Sequence, residues 1–262
     1  MKLRNFVMAV VTVFSGAVAM AEIKAEAVDY KDGKTVLEGF LAYDDTIKGS
    51  RPAVIIIHQW MGLTDHEKNS ARLLAEKGYV VLAADIYGKG VRPGSPAEAG
   101  KFAGTYKEDV KLFRTREKAA FDYLKKNKNV DPKQIVFMGY CFGGTGALEA
   151  ARSGLPLAGA VSIHGGLASK NPGDAKNIKA KVLVLHGAMD PYVPQTEVDG
   201  FMKEMNEAKV DYQFVAYSGA VHAFTQKDAG NDPSQGHAYN PTAAKRSWEA
   251  LISFLNEVVP IK

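Results

Sequence analysis

Apolar and polar positions follow two different spacings along this chain of 262 residues. In residues 23–30 and 35–43 apolar and polar side chains alternate on either side of a turn at 31–34, which predicts an antiparallel hairpin. Further along, short unbroken apolar runs predict buried strands at 52–57, 79–84, 134–138, 157–163, 180–187 and 212–217. The intervening segments favour helices, which we predict at 65–77, 107–127, 197–208 and 241–259.

Continuous apolar strands separated by helices are typical of a mostly parallel sheet that is covered on both faces. We therefore predict an α/β fold with a mostly parallel central sheet, helices on both faces and an N-terminal antiparallel hairpin. Thr64 is positioned to cap the helix at 65–77. Two long segments, 87–106 and 225–240, are predicted to be loops over the carboxyl edge of the sheet, where they would frame a substrate pocket.

The N-terminal segment has the pattern of a secretory signal peptide. Lys2 and Arg4 precede a short apolar run, and a small-x-small sequence ends just before Glu22. We predict a cleaved signal peptide at 1–21 and a single mature domain at 22–262, exported to the periplasm or beyond in a bacterium. The apolar run is too short to span a bilayer, so we expect no membrane association after cleavage.

The composition of the chain excludes several kinds of binding partner and bound group. The leader contains two of the 33 basic residues and none of the 29 acidic ones, so the net charge of the mature chain is +2 and predicts no nucleic-acid partner. One cysteine in the whole chain excludes an intramolecular disulfide and zinc sites of the Cys-x-x-Cys type. The strands lack the clustered ligands of a metal centre. We expect a monomer that needs no cofactor and acts on a small molecule.

The single cysteine is the first candidate for chemistry. Cys141 lies in the sequence Gly-Tyr-Cys-Phe-Gly, which follows an apolar strand and leads into a helical segment. A side chain on such a sharp strand-to-helix turn requires small residues two positions away on each side, and Gly139 and Gly143 meet that requirement. The helix N-terminus would favour the thiolate form of Cys141. The alternative is an inert, buried cysteine that packs as a small apolar residue.

A cysteine nucleophile needs a base and a group that orients the base. Asp190 follows the predicted strand at 180–187, and His222 lies in the loop after the strand at 212–217. The chain order of nucleophile, acid and histidine is that of the α/β-hydrolases, with each group at the carboxyl end of its own strand. His237 is the rival base, whereas Asp85, which rivals Asp190, is interpreted as a structural cap.

Three further histidines follow predicted strands. His58, His164 and His186 could each line the site, but we interpret all three as hydrogen-bonded residues that fill space beside it.

Taken together, the cysteine turn, the sequence His-Gly-Ala-Met-Asp-Pro ending at 191 and the sequence Gly-Ala-Val-His-Ala-Phe ending at 224 resemble the dienelactone hydrolase family of α/β-hydrolases. The resemblance extends from about residue 51 to the C-terminus. It implies that Cys141 is the nucleophile, Asp190 the acid and His222 the base. In this fold the backbone N–H groups of the loop after the first buried parallel strand and of the residue after the nucleophile form the oxyanion hole, which we assign to Trp60 and Phe142.

Two departures from the family pattern affect the expected substrate. Gln59 stands where the family has a glutamate associated with holding and activating the cysteine, and a glutamine cannot accept a proton. The arginines that grip the substrate carboxylate in the family also have no equivalent; Gln226 stands where one is expected. We therefore expect a neutral ester or lactone, with Gln59 in contact with substrate and with Trp60, Tyr87 and Phe142 as apolar walls.

The sequence thus predicts a cysteine-dependent hydrolase that cleaves an ester or lactone through a thioester acyl-enzyme. Two other classes stay open. The same three residues could serve an acyltransferase, a thioesterase or a peptidase. Alternatively, Gln59 and the missing arginines could mark a non-catalytic, thiol-bearing binding protein.

Overall fold

The computed structural model describes residues 23–261. The predicted signal peptide lies outside the described residues. Strands in the described part are β1 (Ile23–Asp32), β2 (Thr35–Asp44), β3 (Arg51–Ile57), β4 (Val80–Ala84), β5 (Val130–Tyr140), β6 (Gly159–Ile163), β7 (Lys181–Gly187) and β8 (Tyr212–Tyr217). The α-helices are α1 (Asp65–Ala75), α2 (Pro96–Glu108), α3 (Val110–Leu124), α4 (Phe142–Arg152), α5 (Gln195–Glu207) and α6 (Pro241–Val258).

The strands form one sheet in the order β1-β2-β4-β3-β5-β6-β7-β8. The hairpin of β1 and β2 is antiparallel and joins β4 in antiparallel register, whereas every pairing from β4 to β8 is parallel. The predicted fold class is therefore confirmed. Because the parallel strands all point the same way, the segments after β3, β5, β6, β7 and β8 emerge at one edge of the sheet.

Apolar residues on both faces of the sheet explain why its inner strands read as unbroken apolar runs. All seven residues of β3 are buried, as are all five of β4 and of β6. One face packs against α1 and α6 through side chains such as Leu74 and Leu251, and the other packs against α2 to α5 through residues such as Phe113 and Phe201. No helix within residues 23–261 is long and apolar enough to cross a membrane.

The helices confirm some predicted boundaries and correct others. Thr64 caps α1 as predicted, with Glu67 completing a capping box. The segment 87–106 is not wholly a loop, because α2 begins at Pro96 after the cap residue Ser95. The helix predicted at 107–127 is two helices: Asp109 ends α2 and its side chain accepts a hydrogen bond from the N–H of Leu112 at the start of α3. Two glycines within α2 weaken the helical pattern of the sequence.

Candidate active site

The turn between β5 and α4 has the geometry that the glycine spacing predicts. Cys141 has φ 54° and ψ −116°, a conformation that side-chain-bearing residues rarely adopt. A Cβ atom on Gly139 would lie 2.1 Å from the carbonyl oxygen of Gly143, and a Cβ on Gly143 would lie 2.1 Å from the carbonyl oxygen of Ile57. Only glycine fits at these two positions, so the turn can present Cys141 at the carboxyl edge of the sheet.

Asp190 and His222 are brought together at the same edge. Nδ1 of His222 lies 2.8 Å from Oδ2 of Asp190, although the two residues come from the loops after β7 and β8. The other carboxylate oxygen of Asp190 accepts a hydrogen bond from the N–H of Tyr192 at 2.9 Å. The backbone of His222 pairs with that of Gly236 and Ala238. These bonds hold the carboxylate and the imidazole in a defined relative orientation.

Electrostatics link Cys141 to this pair. Burial alone would raise the pKa of the Cys141 thiol, but hydrogen bonding to His222, the charge of His222 and the more distant charge of Lys107 together lower it below its usual value. Burial alone would lower the pKa of His222, but hydrogen bonds with Asp190 and Cys141 and their charges raise it to about 10. The contact between the two groups therefore favours the thiolate of Cys141 and the imidazolium of His222 over their neutral forms.

The backbone near Cys141 offers hydrogen-bond donors. The N–H of Phe142, at the start of α4, bonds toward Cys141 and contributes to the low pKa of the thiol. On the other side, the loop after β3 is held by Glu67, whose carboxylate accepts hydrogen bonds from the N–H groups of Gln59 at 3.3 Å and Thr64 at 2.9 Å. The carbonyl oxygen of Trp60 accepts a hydrogen bond from the hydroxyl of Tyr87 at 2.8 Å. The loop that carries Trp60 is thus fixed from two directions.

A cavity of about 590 Å³ opens above Cys141 and His222. Its walls combine polar, aromatic and aliphatic side chains with one lysine and one aspartate; they are Gln59, Trp60, Met61, Pro96, Lys107, Cys141, Gly166, Tyr192, Val193, His222, Ala223, Gln226, Asp228, Ala229 and His237. The segment 225–240 supplies four of these residues, in agreement with its predicted role in framing a pocket. Trp60 is 36% exposed and Tyr192 58%, so both aromatic rings reach the surface.

The prediction that Phe142 and Tyr87 form apolar walls of the pocket is wrong. Phe142 is 1% exposed, and its ring stacks on Phe113 with 4.6 Å between centroids, within the core. Tyr87 is 5% exposed and packs behind Phe142, with 5.6 Å between the ring centroids. Neither side chain lines the cavity. Both side chains point away from the cavity. The turn that presents Cys141 directs the side chain of the next residue, Phe142, back toward the sheet. Tyr87 fills the space behind the loop that carries Trp60.

Gln59 lines the cavity as predicted, and its buried side chain has a hydrogen-bond partner there. Gln59 is 6% exposed, and its side-chain oxygen accepts a hydrogen bond from the side-chain amide of Gln226, which is 7% exposed. A hydrogen bond between two neutral glutamines thus occupies the place where the family resemblance predicts a glutamate and an arginine. The sequence shows both residues but not their contact, because they are far apart along the chain.

Lys107 and Tyr192 are cavity residues that sequence reasoning missed. The helical pattern predicts Lys107 at the start of a helix, but it lies one residue before the end of α2, which contributes Pro96 and Lys107 to the cavity wall. Tyr192 follows Asp190 closely, and its ring meets that of His222 edge-on with 5.3 Å between centroids. Its proximity to the predicted acid was an available signal.

His58, His186 and Asp85, which lie near the carboxyl ends of strands, are buried beside the site and do not line the cavity. His58 is buried, and its two ring nitrogens meet the carbonyl oxygen of Gln59 at 2.6 Å and the N–H of Ile86 at 3.2 Å. Asp85 is buried and accepts backbone hydrogen bonds from three residues, which confirms its role as a cap. His186 differs from expectation, because its Nδ1 is buried without a hydrogen-bond partner in the described part of the chain.

Comparison with known proteins shows which family the chain is similar to. The model of the dienelactone hydrolase family matches residues 37–259. A relative from a Bradyrhizobium species, named "Probable 2-oxo-3-(5-oxofuran-2-ylidene)propanoate lactonase", is 30% identical over 87% of this chain and 94% of its own length. "Protein usf" of Aquifex pyrophilus is 28% identical over 88% of this chain and 98% of its own length. Among solved structures, a dienelactone hydrolase-like promiscuous phosphotriesterase from metagenomic libraries is 39% identical, with a TM-score of 0.86 and coverage of 90% of this chain and 99% of that one.

Proposed function

The chain belongs to the dienelactone hydrolase family and is a hydrolase of ester or lactone bonds, and on that premise we propose that Cys141, His222 and Asp190 are its catalytic triad. The observation that carries the proposal is the convergence of three segments at one edge of the sheet. Cys141 lies on a turn that only glycines permit, and His222 is held 2.8 Å from Asp190. The low pKa of the thiol and the high pKa of the imidazole both result from this convergence.

Acylation begins with the Cys141 thiolate, which attacks the carbonyl carbon of the ester. The carbonyl oxygen becomes an oxyanion, and the N–H groups of Phe142 and Trp60 stabilise it; losing one such donor typically costs about 2.7 to 4 kcal/mol of transition-state stabilisation. When the tetrahedral intermediate collapses, the bond to the alcohol oxygen breaks and the His222 imidazolium gives its proton to the departing alkoxide. A thioester to Cys141 and a neutral imidazole remain.

Deacylation uses water as the second reactant. Neutral His222 takes a proton from water as the oxygen attacks the thioester carbonyl, and the oxyanion forms in the same place as before. Collapse expels the Cys141 thiolate, releases the acid and restores the imidazolium. Asp190 keeps the ring oriented through both stages and favours its charged form. With a lactone, the released product is a single hydroxy acid.

We assign neutral esters and lactones as the preferred substrates. The buried pair of Gln59 and Gln226 places two uncharged amides in the cavity, and an amide cannot form the bidentate ion pair that an arginine makes with a carboxylate. The aromatic side chains of Trp60 and Tyr192 at the surface suit an apolar acyl or alcohol group.

The test compares residues 22–262 with the variants Cys141→Ala and Cys141→Ser on 4-nitrophenyl esters of short-chain acids. We expect Cys141→Ala to lose turnover, and a brief reaction of the unaltered protein followed by mass spectrometry to show an acyl group on the peptide that contains Cys141. Parallel assays on matched amide and thioester substrates separate esterase from peptidase and thioesterase activity. Turnover by Cys141→Ala equal to that of the unaltered protein would overturn the assignment.

A second reaction at the same site is favoured by one of the comparisons. The relative with 39% identity and a TM-score of 0.86 is described as a promiscuous phosphotriesterase. A neutral phosphotriester presents a phosphoryl oxygen to the same N–H groups, and the Cys141 thiolate would attack phosphorus and displace the best leaving group, such as 4-nitrophenolate, which takes a proton from His222. Water activated by His222 would then cleave the phosphorus–sulfur bond and restore the thiolate. Release of 4-nitrophenol from a 4-nitrophenyl dialkyl phosphate, lost in Cys141→Ala, would support this activity; no release above the buffer rate would exclude it.

The location of the protein is a separate proposal. Residues 1–21 have the charge, apolar run and cleavage sequence of a signal peptide, and we propose that the mature enzyme is exported. N-terminal sequencing of the protein from a bacterial periplasmic fraction tests this. Glu22 as the first residue supports the proposal, whereas an intact Met1 in the cytoplasmic fraction contradicts it.

A further inference from the structure

His164 lies beneath Cys141 and His222 and has no part in the proton transfers described above. It follows β6, is 1% exposed and contacts both the nucleophile and the loop that borders the cavity. We propose that His164, held in a single tautomer by Thr225, is a positioning residue that keeps the Cys141 turn in its reactive conformation. This inference rests on the proposed function of Cys141.

Hydrogen-bond geometry determines which nitrogen of His164 carries the proton. The N–H of Cys141 points to Nδ1 of His164 at 3.2 Å and also to the carbonyl oxygen of Ile163 at 3.0 Å. A backbone N–H can only donate, so Nδ1 of His164 must be an unprotonated acceptor. The hydrogen of the neutral ring is then on Nε2, which lies 2.8 Å from Oγ1 of Thr225. Thr225 therefore accepts, and the chain of bonds runs from Cys141 through His164 to Thr225.

The backbone conformation explains why such support is needed. Cys141 has φ 54° and His164 has φ 40°, values that few residues other than glycine adopt and that persist only when the surroundings hold them. His164 is held from its own backbone by a hydrogen bond from its N–H to the carbonyl oxygen of Leu185 at 2.8 Å. Among residues 23–261, the ring of His164 is the only side chain that accepts a hydrogen bond from the Cys141 N–H.

The groups around the His164 ring favour its neutral form. Its ring meets His222 edge-on at 5.3 Å and Phe224 at 5.2 Å between centroids, and Tyr140 lies at 5.9 Å. Burial, the charge of His222 and the charge of His66 all lower the pKa of His164 well below its usual value. A neutral ring is also what the bond from Cys141 requires, because a protonated Nδ1 would oppose the N–H of Cys141 donor to donor.

Loss of the Thr225 hydroxyl therefore has a defined consequence. If Nε2 keeps its hydrogen, a buried donor is left without an acceptor; if the hydrogen moves to Nδ1, the bond to Cys141 is replaced by a repulsive contact between two donors. In the first case the His164 ring loses its anchor and can shift away from the Cys141 N–H, and in the second case Nδ1 no longer accepts from it. Either change holds the backbone of Cys141 less firmly, so its sulfur no longer keeps a fixed position relative to His222. The effect should appear in the reactivity of the thiol, not in the binding of substrate.

The first experiment compares Thr225→Val with Thr225→Ser and with Thr115→Val. Thr115 is a matched control, because it is also half-buried and hydrogen-bonded through its hydroxyl but lies on α3, away from the cavity. We expect Thr225→Val to lower kcat for a 4-nitrophenyl ester about tenfold with KM nearly unchanged, and to move the midpoint of iodoacetamide alkylation of Cys141 to higher pH. Thr225→Ser should restore both values, and Thr115→Val should change neither.

A double-mutant cycle with His164→Asn isolates the proposed chain of bonds. Asparagine tolerates positive φ, and its side-chain oxygen can replace Nδ1 as acceptor but cannot reach Thr225. In the His164→Asn background, Thr225→Val should therefore have no additional effect on kcat or on the alkylation midpoint. An equal effect of Thr225→Val in both backgrounds would overturn the inference.

Other outcomes are equally decisive. Thr225→Val with a lower melting temperature but an unchanged alkylation midpoint and kcat would show a merely structural role, and a change confined to KM would show a role only in the loop; both overturn the inference. The alkylation assay needs no substrate, so the proposed triad is tested separately by Cys141→Ala. Loss of activity in Cys141→Ala together with an unaffected Thr225→Val would refute the role of His164 and leave the proposed function standing.

Discussion

Individual residues at the site owe their unusual properties to one another. The thiol of Cys141, the imidazole of His222 and the carboxylate of Asp190 are ordinary groups in water, but together they favour a partly buried thiolate beside an imidazolium. The arrangement depends on two glycines whose replacement would drive a Cβ into the backbone of a neighbouring segment. The shifted pKa values of Cys141 and His222 are therefore a consequence of close approach, and altering one member of the group should change them.

Asp190→Asn tests this dependence. Burial opposes the charged form of His222, so without the Asp190 charge its pKa should fall from about 10, and the pKa of Cys141 should rise as the stabilising imidazolium is lost. The unaltered protein should react with iodoacetamide with a midpoint below about 8.5, the usual thiol value. In Asp190→Asn we expect a higher midpoint and an esterase kcat lower by about 10²- to 10⁴-fold.

Asp199→Asn serves as the control for Asp190→Asn. Asp199 is an exposed residue of α5, so its replacement removes the same charge without touching the site. Both midpoint and kcat should stay at the values of the unaltered protein. Equal midpoints in Asp190→Asn and Asp199→Asn would contradict the coupling of Asp190 to the thiol.

Between secondary-structure elements, buried polar side chains hold α4 against its neighbours. Arg152 of α4 is completely buried and donates to Glu204 of α5 at 2.7 and 2.8 Å and to Glu149 at 3.1 Å. Glu149 also accepts from Arg114 of α3. Nearby, Glu117 of α3 is buried with no hydrogen-bond partner for either side-chain oxygen in the described chain. Since α4 begins directly after Cys141, these contacts stabilise the helix that follows the Cys141 turn.

Arg152→Met should remove much of this stability. The variant leaves the carboxylates of Glu204 and Glu149 buried near each other without their shared cation, and breaking a buried ion pair in this way typically costs about 3 to 5 kcal/mol. Urea unfolding measures the free energy of unfolding directly. Arg246→Met, on the exposed part of α6, should change it by less than about 0.5 kcal/mol. A similarly small change in Arg152→Met would show that the network contributes little.

Because Glu117 is buried, we expect it to change the pH dependence of the free energy of unfolding in a way that an exposed carboxyl does not. Burial and the charge of Glu149 raise the pKa of Glu117 well above its usual value of 4.5. The unfolded chain then loses this proton at lower pH than the folded chain, so the contribution of Glu117 to stability falls as pH rises above about 4.5, by up to about 1.4 kcal/mol per pH unit. Above its folded pKa the contribution no longer changes.

Glu117→Gln mimics the neutral acid at every pH. We expect its free energy of unfolding to match that of the unaltered protein near pH 4.5 and to exceed it at pH 8. Urea titrations at both pH values measure the difference, with Glu249→Gln on the exposed side of α6 as the control. A constant difference between the two proteins across this range would mean that Glu117 is ionised in the folded state, contrary to the effect of its burial.

At the scale of the whole molecule, the cavity is a joint product of segments from most of the chain. The loops after β3, β5, β6, β7 and β8 contribute walls, and α2 passes over the same edge and contributes Lys107. The lysine is exposed yet close enough to the site to lower the pKa of Cys141. A cation from a distant helix thus acts on the thiol of Cys141, whose neighbours in the sequence carry no charge.

Lys107→Met should therefore raise the pKa of the Cys141 thiol. Because the ammonium group is exposed, the effect should be largest at low ionic strength and shrink at about 1 M salt. Alkylation of Cys141 followed across pH at both salt concentrations measures it. Lys101→Met, an exposed change on the same helix that lies outside the cavity, controls for altered helix stability. A midpoint that is unaffected by Lys107→Met at low salt would contradict the electrostatic contribution.

The amino-acid sequence by itself determined the sheet, the placement of Cys141 on its turn, and the positions of Asp190 and His222 after consecutive strands. These features are local, since unbroken apolar runs, glycine spacing and the residues that end a strand each depend on neighbouring positions. The convergence of the three groups could be predicted because the carboxyl ends of parallel strands meet at one edge.

Only the tertiary structure decided the pairing of Gln59 with Gln226, the support of Cys141 by His164 and Thr225, and the position of Lys107 above the site. It also turned the side chains of Phe142 and Tyr87 into the core. These features depend on the relative orientation of segments that are distant along the chain, and hydrogen bonds and ring packing depend on distance and angle. No periodicity or local motif encodes that orientation, because it results from the packing of the whole sheet and its helices.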